Sequence, residues 1–291
     1  MLNKKIAICI TGEFRLPYTE YLDEYWKRFT PYADIFFTLN DNSNEFYLLD
    51  NWMYKVYEKS FLKEHMQSIN TNLAELPGHW RIHDFLYEQY LLMQLGYYYY
   101  NLMNYDIIIR ARSDFLLVTK NDLGKTYAEL TYDDSYFYNV VKFFNDLPSH
   151  CIGAGYIYNY RNLLEVYDQL WYVKDNFDFI KNFWKYGELN NRVNSPASLV
   201  TAGTRDFFTT VEQLFFGTIQ NYLLINNNNN MQYKAHQFIP FIVRPNITKD
   251  FLLNNKLEKV YKVAFDYGIR MYETYLDDNA FYTHIENLGQ L

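Results

Sequence analysis

The chain has 291 residues, 49% hydrophobic, 20% aromatic and 21% charged, with a formal net charge of −7. That describes a soluble globular protein able to bury a substantial core, as one large α/β domain or as a domain with a smaller appendage. It excludes a general affinity for nucleic acid or acidic membranes, so any phosphate must be bound locally.

Two cysteines, Cys9 and Cys151, exclude a disulfide framework and point to a reducing compartment. Lys4 and Lys5 precede an apolar run too short for a signal peptide, and no stretch of about eighteen uncharged apolar residues could span a membrane. A cytoplasmic protein is expected, with the sequon Asn246-Ile247-Thr248 unmodified. The 31 Tyr and 23 Phe suit stacking on sugars or bases. A coding bias toward AT-rich codons, which also enriches Asn, explains the same excess.

Ile6 to Ile10 is a continuous apolar run ending at Thr11-Gly12-Glu13-Phe14-Arg15, which predicts a fully buried first strand and a Gly turn. Pro17 suits a first helical position, and Tyr18, Leu22, Tyr25 and Phe29 recur at helical spacing. Asp34 to Leu39 then reads as a second strand, completing a strand, helix, strand unit. Ligands of such sheets sit beyond the carboxyl ends of the strands, which places Thr11, Gly12, Glu13 and Arg15 at a binding edge near Asn40 and Asp41. Trp52 to Met66 is expected to be helical. A helical stripe of Tyr87, Leu91, Leu95, Tyr98 and Leu102 leads into the centre of the chain.

That centre is Tyr105 to Val118, expected to be one buried strand running into charge. Alternation would put Arg110, Arg112 and Asp114 on a single face. Three charges at the end of an apolar strand must be paired or must bind something. Two readings stand: a site for an anionic ligand with a cation, here a sugar nucleotide, or a structural ion pair between Arg112 and Asp114.

Beyond it, Tyr136 to Phe144 reads as a strand, and Asn145 to Gly155 as a polar turn leading to a small-residue strand whose glycines allow close approach. Leu163 to Tyr186 is expected to be helical, 187 to 205 a long flap-like connection, and Arg205 to Leu224 a helix carrying Glu212. Asn226 to Asn230 is a solvated tract, Phe238 to Val243 a last strand, and Leu253 to Tyr275 a helical tail. The expected division is a catalytic domain over 1–225 and an Asn-rich loop with a C-terminal strand and helices over 226–291. There is no P-loop, no zinc-spaced Cys/His cluster, and no Gly-x-Gly-x-x-Gly after the first strand, which argues against a dinucleotide-type Rossmann enzyme.

Three segments in order, Ile8 to Arg15, Asp34 to Thr38 and Tyr105 to Asp114, resemble the GT-A fold glycosyltransferases of large DNA viruses and the WavE-like bacterial polysaccharide-synthesis proteins. In those families a strand ends in Ser/Thr-Gly-x-x-Arg, a second carries Asp-hydrophobic-Phe, and Arg-x-Arg-x-Asp stands where other GT-A enzymes have a metal-binding Asp-x-Asp. The likeness spans about residues 5 to 225. It implies a GT-A type, Rossmann-like α/β fold, a mixed but mostly parallel sheet flanked by helices. It also implies transfer of a sugar from a UDP- or GDP-sugar donor to a hydroxyl of a glycan or glycoprotein. Asp114 would hold Mn²⁺ or Mg²⁺, with Arg15, Arg110 and Arg112 on the phosphates and Thr11, Gly12 and Glu13 around base and ribose. Arg112 replaces the first Asp of the usual motif, so one metal ligand is missing.

Glu212 or Asp146 would deprotonate the acceptor hydroxyl. Thr209-Thr210-Val211-Glu212 also matches a helix capping box, and Asp206 suits a helix N-terminus. His236 is a possible further metal ligand, though a lone His is more often structural. The alternative function is a catalytically inactive sugar-nucleotide or glycan-binding protein with the same fold.

Overall fold

A computed structural model describes residues 2–13, 19–41, 51–69, 81–154, 158–160, 164–166, 170–175, 177–182, 218–219, 221–226, 230–236, 238–243, 246–270 and 282. The opening follows its apolar pattern. Strand β1 is Ile6–Gly12, helix α1 Thr19–Lys27 and strand β2 Asp34–Asn40, with β1 and β2 parallel. Next come β3 (Met53–Tyr57), α2 (Lys59–Ile69) and α3 (Arg81–Tyr99), then β4 (Ile107–Ala111), which runs parallel to β1 on its other side. The expected helix from Trp52 is therefore a strand followed by a helix.

The central segment is broken where one strand was expected. β4 stops at Ala111, the chain turns through Arg112, Ser113 and Asp114, and β5 (Phe115–Val118) departs to another sheet. After α4 (Tyr127–Tyr132), the expected strand from Tyr136 is instead helix α5 (Asp134–Asn145). Asp133 caps it by accepting from the Ser135 amide, and Tyr136, Phe137, Val140, Val141 and Phe144 are buried at helical spacing. Aromatic and β-branched content suggested a strand, and one buried helical face outweighed it.

Short strands follow: β6 (Cys151–Ala154), β7 (Tyr158–Tyr160), β8 (Leu164–Val166) and β9 (Trp171–Lys174). The helix expected over Leu163 to Tyr186 is thus corrected to strands, with helical residues only from 178 to 182 in the described part. All four residues of β9 are buried because both faces of the sheet are covered, so no alternation marks it as a strand. β10 (Gln232–Tyr233) and β11 (Ile239–Ile242) precede two helices, Lys249–Asn254 and Leu257–Arg270, where one continuous tail was expected.

Among the described residues, seven strands form a mixed, mostly parallel sheet in the order β10-β6-β9-β4-β1-β2-β3, with β9 antiparallel to both neighbours. Side-chain parity sorts its two faces. Ile6, Ile8, Ile10 and Ile109 pack with Tyr25 and Trp26 of α1, Phe29 just after it, and Phe137 and Phe144 of α5, while Ala7, Cys9, Phe36 and Ile108 pack with Tyr90, Met93 and Tyr97 of α3. Each fully buried large side chain contributes roughly 1.5–3 kcal/mol. The face α3 turns to the sheet is displaced from the expected stripe: Tyr98 is exposed, and Leu91 and Leu92 meet Leu62 of α2 instead. The Tyr25 hydroxyl donates to the Leu117 carbonyl (3.3 Å) and accepts from the Leu117 amide (3.1 Å), tying α1 to β5.

Gly153 of β6 meets the close approach expected of it. The Tyr172 hydroxyl donates to the Lys234 carbonyl, and a methyl group on Gly153 would meet both atoms. Gly153→Ala should therefore lower stability by about 1–3 kcal/mol, read as the shift of a urea denaturation midpoint. An unchanged midpoint would contradict this packing.

Candidate functional site

β1, β2 and β4 are mutually parallel, so their carboxyl ends share one edge of the sheet. The chain steps from β1 to β2 to β3 in one direction, and β4 lies on the other side of β1. The strand order thus reverses between β1 and β4, the place where open α/β sheets bind ligands. A cleft of about 410 Å³, counted with the solvent it opens to, lies there. Thr11, Gly12 and Glu13 line it from β1, Asn40 from β2, Glu88 and Gln89 from α3, and Arg110, Arg112, Ser113 and Asp114 from the end of β4 and its turn.

Gly12 closes β1 with φ +117°, a backbone conformation in which a side chain is strained, and the space where its Cβ would stand is open. Main chain can therefore approach a ligand directly at this corner. In the β1–β4 register Cys9 lies opposite Arg110, so the Arg110 side chain takes the α3 face of the sheet with Thr11. It is buried, donating from Nε to Thr11 Oγ1 (2.8 Å) and from Nη2 to Gln89 Oε1 (2.6 Å).

Arg112 and Asp114 face each other across the turn. Arg112 donates from Nε to Asp114 Oδ1 (2.9 Å) and from Nη2 to Asp114 Oδ2 (2.8 Å), and its guanidinium lies 5.4 Å from the Phe115 ring centroid. The Asp114 side chain is 4% exposed and that of Arg112 14%. The backbone of the turn is held as well. The Ser113 carbonyl accepts from Trp26 Nε1 (3.2 Å), the Asp114 carbonyl from the Val243 amide (2.9 Å), and Ser113 Oγ donates to the Glu13 carbonyl (3.4 Å). The turn is thereby fixed by α1, the residue after β1 and the residue after β11.

The ion pair anticipated as one of two readings is present, and it lies inside the cleft together with Gly12. Divalent-metal ligation by Asp114 does not fit this donor set. Both carboxylate oxygens accept from a guanidinium, and among the described residues no three His, Cys, Asp or Glu side chains gather as a metal site. His236 is buried, its Nδ1 accepting from the Phe238 amide (3.2 Å), and it does not line the cleft.

Asp146 is the clear displacement from expectation. β6 begins level with the start of β4, both facing Lys174 of β9, so the turn before β6 lies at the edge of the sheet opposite the cleft. There Asp146 is exposed, bonded to Lys142 and Asn145, and the Lys142 ammonium holds its carboxyl below the usual range. Arg15, Asp206 and Glu212 lie outside the described residues.

Glu88 and Gln89 were not anticipated. They sit on a helix buried on several sides, as Tyr90 to Met93 show, so no polar stripe set them apart from a solvated face. Two polar residues directly preceding four buried apolar ones were the available signal. Glu88 accepts from Asn40 Nδ2, and its carboxyl is pushed up, chiefly by burial. Asn40 and Lys59 offset that shift, and Glu13 and Asp41 reinforce it. The cleft therefore has a guanidinium end at β4 and a carboxylate end between β2 and α3.

No family model matches the chain, and no curated protein does. Among solved structures, it matches mouse xyloside xylosyltransferase 1 in its apo form at 12% identity and a TM-score of 0.38, over 80% of this chain and 84% of that one.

A raised folded-state pKa means the fold holds the Glu88 proton more tightly than the unfolded chain does. The stability this contributes is whole below the ordinary value of 4.5 and is lost as pH rises through the folded-state value. Glu88→Gln removes the titration and keeps an acceptor for Asn40. Its stability relative to the native chain should rise between about pH 4 and pH 7 in paired denaturation curves. A pH-independent difference would refute the shift.

Proposed function

We propose that the chain is a nucleotide-sugar-dependent glycosyltransferase of GT-A type, moving a sugar from a UDP- or GDP-sugar to a hydroxyl of a glycan or glycoprotein. The observation that carries this reading is one cleft, at the reversal of strand order, shared by the open Gly12 corner and the guanidiniums of Arg110 and Arg112. Two of the segments that resemble glycosyltransferases, Ile8 to Arg15 and Tyr105 to Asp114, supply most of its lining.

In this reading the donor's diphosphate lies toward β4. Arg112 meets the phosphate oxygens, a role the resemblance also gives to Arg15, and Arg110 holds Thr11 in place while adding positive charge behind it. Thr11, Gly12, Glu13 and Asn40 face base and ribose. The bond from the anomeric carbon to the diphosphate oxygen breaks, and its electron pair leaves with the nucleoside diphosphate. The acceptor oxygen bonds to that carbon, and the hydroxyl proton passes to a carboxylate, the role the resemblance implies for Glu212. Asp146 has no part in this.

A second reading, a catalytically inactive binder of sugar nucleotides, is favoured by the bond that occupies Asp114. Calorimetry against UDP-, GDP- and dTDP-sugars, followed by product analysis with candidate acceptors, separates the two. Binding with transfer is expected; binding without transfer across the acceptor set favours the second reading; no binding defeats both. Glu212→Gln should lower turnover by about 10²- to 10⁴-fold with donor affinity unchanged, and full turnover in that variant would remove Glu212 from the mechanism.

A further inference from the structure

Whether a divalent cation joins the arginines at the departing diphosphate turns on Asp114. Both oxygens of Asp114 accept from Arg112, at 2.9 and 2.8 Å, in a pair with side chains 4% and 14% exposed. A divalent ion on that carboxylate would have to displace the guanidinium or sit beside it against like charge. The turn that presents the pair is tied through Ser113 and Asp114 to Trp26, Glu13 and Val243, which leaves little room for such a rearrangement. The Phe115 ring further fixes the guanidinium plane.

We propose that Arg112, oriented by the bidentate Asp114 carboxylate, supplies the positive charge at the leaving diphosphate, and that donor binding and transfer need no divalent cation. This rests on the nucleotide-sugar reading. Asp114 is then a positioning residue: it accepts two hydrogen bonds and sets the plane in which the guanidinium meets phosphate. Arg112 contacts the substrate itself. A pair that would be inert in a sealed core here lines an open cleft beside Gly12.

The test is the affinity of the intact chain for UDP and GDP by calorimetry, in EDTA and in excess Mn²⁺, with Mn²⁺ binding followed separately by electron paramagnetic resonance. Equal affinity in the two buffers, within about twofold, is expected, with no site-bound Mn²⁺ signal at nucleotide-saturating concentrations. Arg112→Lys keeps a charge but loses the planar fork, and should weaken nucleoside diphosphate binding about tenfold. Arg112→Ala should weaken it further, its folding checked by thermal melting. Asp114→Asn should weaken nucleotide binding without altering any response to Mn²⁺.

A tenfold or greater gain from Mn²⁺ in the native chain overturns the proposal, and loss of that gain in Asp114→Asn would restore Asp114 as a metal ligand. Undiminished affinity in Arg112→Lys and Arg112→Ala overturns it too. If neither nucleotide binds in either buffer, the glycosyltransferase reading falls and takes this inference with it. Binding that is cation-independent but insensitive to Arg112 defeats only the inference.

Discussion

The parallel pairing of β1 with β4 is the constraint on which both core and cleft depend. Its register sets Ile10 opposite Ala111 and Cys9 opposite Arg110, so both strands end together and their charged continuations emerge side by side. A slip of one residue would exchange the faces of β4. Arg110 would then point at the apolar layer of Tyr25, Trp26 and Phe29, and Ile109 would lose its place there. The apolar side chains that hold the sheet together also decide that a guanidinium reaches Thr11 and Gln89.

Buried charge is stable only where it is paired and fully hydrogen-bonded, and the end of β4 meets that condition in two ways. Arg110 is drawn inward, against a hydroxyl and an amide. Arg112 is paired with a carboxylate two residues along, on a turn whose carbonyls accept from Trp26 and Val243. Such a turn presents its guanidinium already ordered, which suits electrostatic stabilisation of developing charge. At the other end of the cleft, burial raises the cost of ionising Glu88, and the nearby charges of Glu13 and Asp41 add to it. The cleft is therefore polarised along its length.

Much of the fold was legible where periodicity was clean. β1, α1 and β2 follow from an apolar run, a helical stripe and a second apolar run. α5 and β9 were misread for related reasons: α5 is rich in residues that favour strands, and β9 is buried on both faces and shows no alternation. The break after Ala111 was also missed. Its cause lies in β11, which pairs with β5 from more than a hundred residues away and draws Phe115 to Val118 out of the main sheet.

The sequence by itself determined which chemistry is available at the strand ends: a glycine corner after β1, and arginines with an aspartate at the end of β4 and beyond it. Side-chain type and local spacing suffice for that much. Only the tertiary structure decided that Asp114 is committed to Arg112, that Glu88 and Gln89 complete the cleft, and that Asp146 stands at the opposite edge. Those outcomes depend on strand direction and on where α3 docks. Both are set by contacts between residues distant along the chain, which no local pattern encodes.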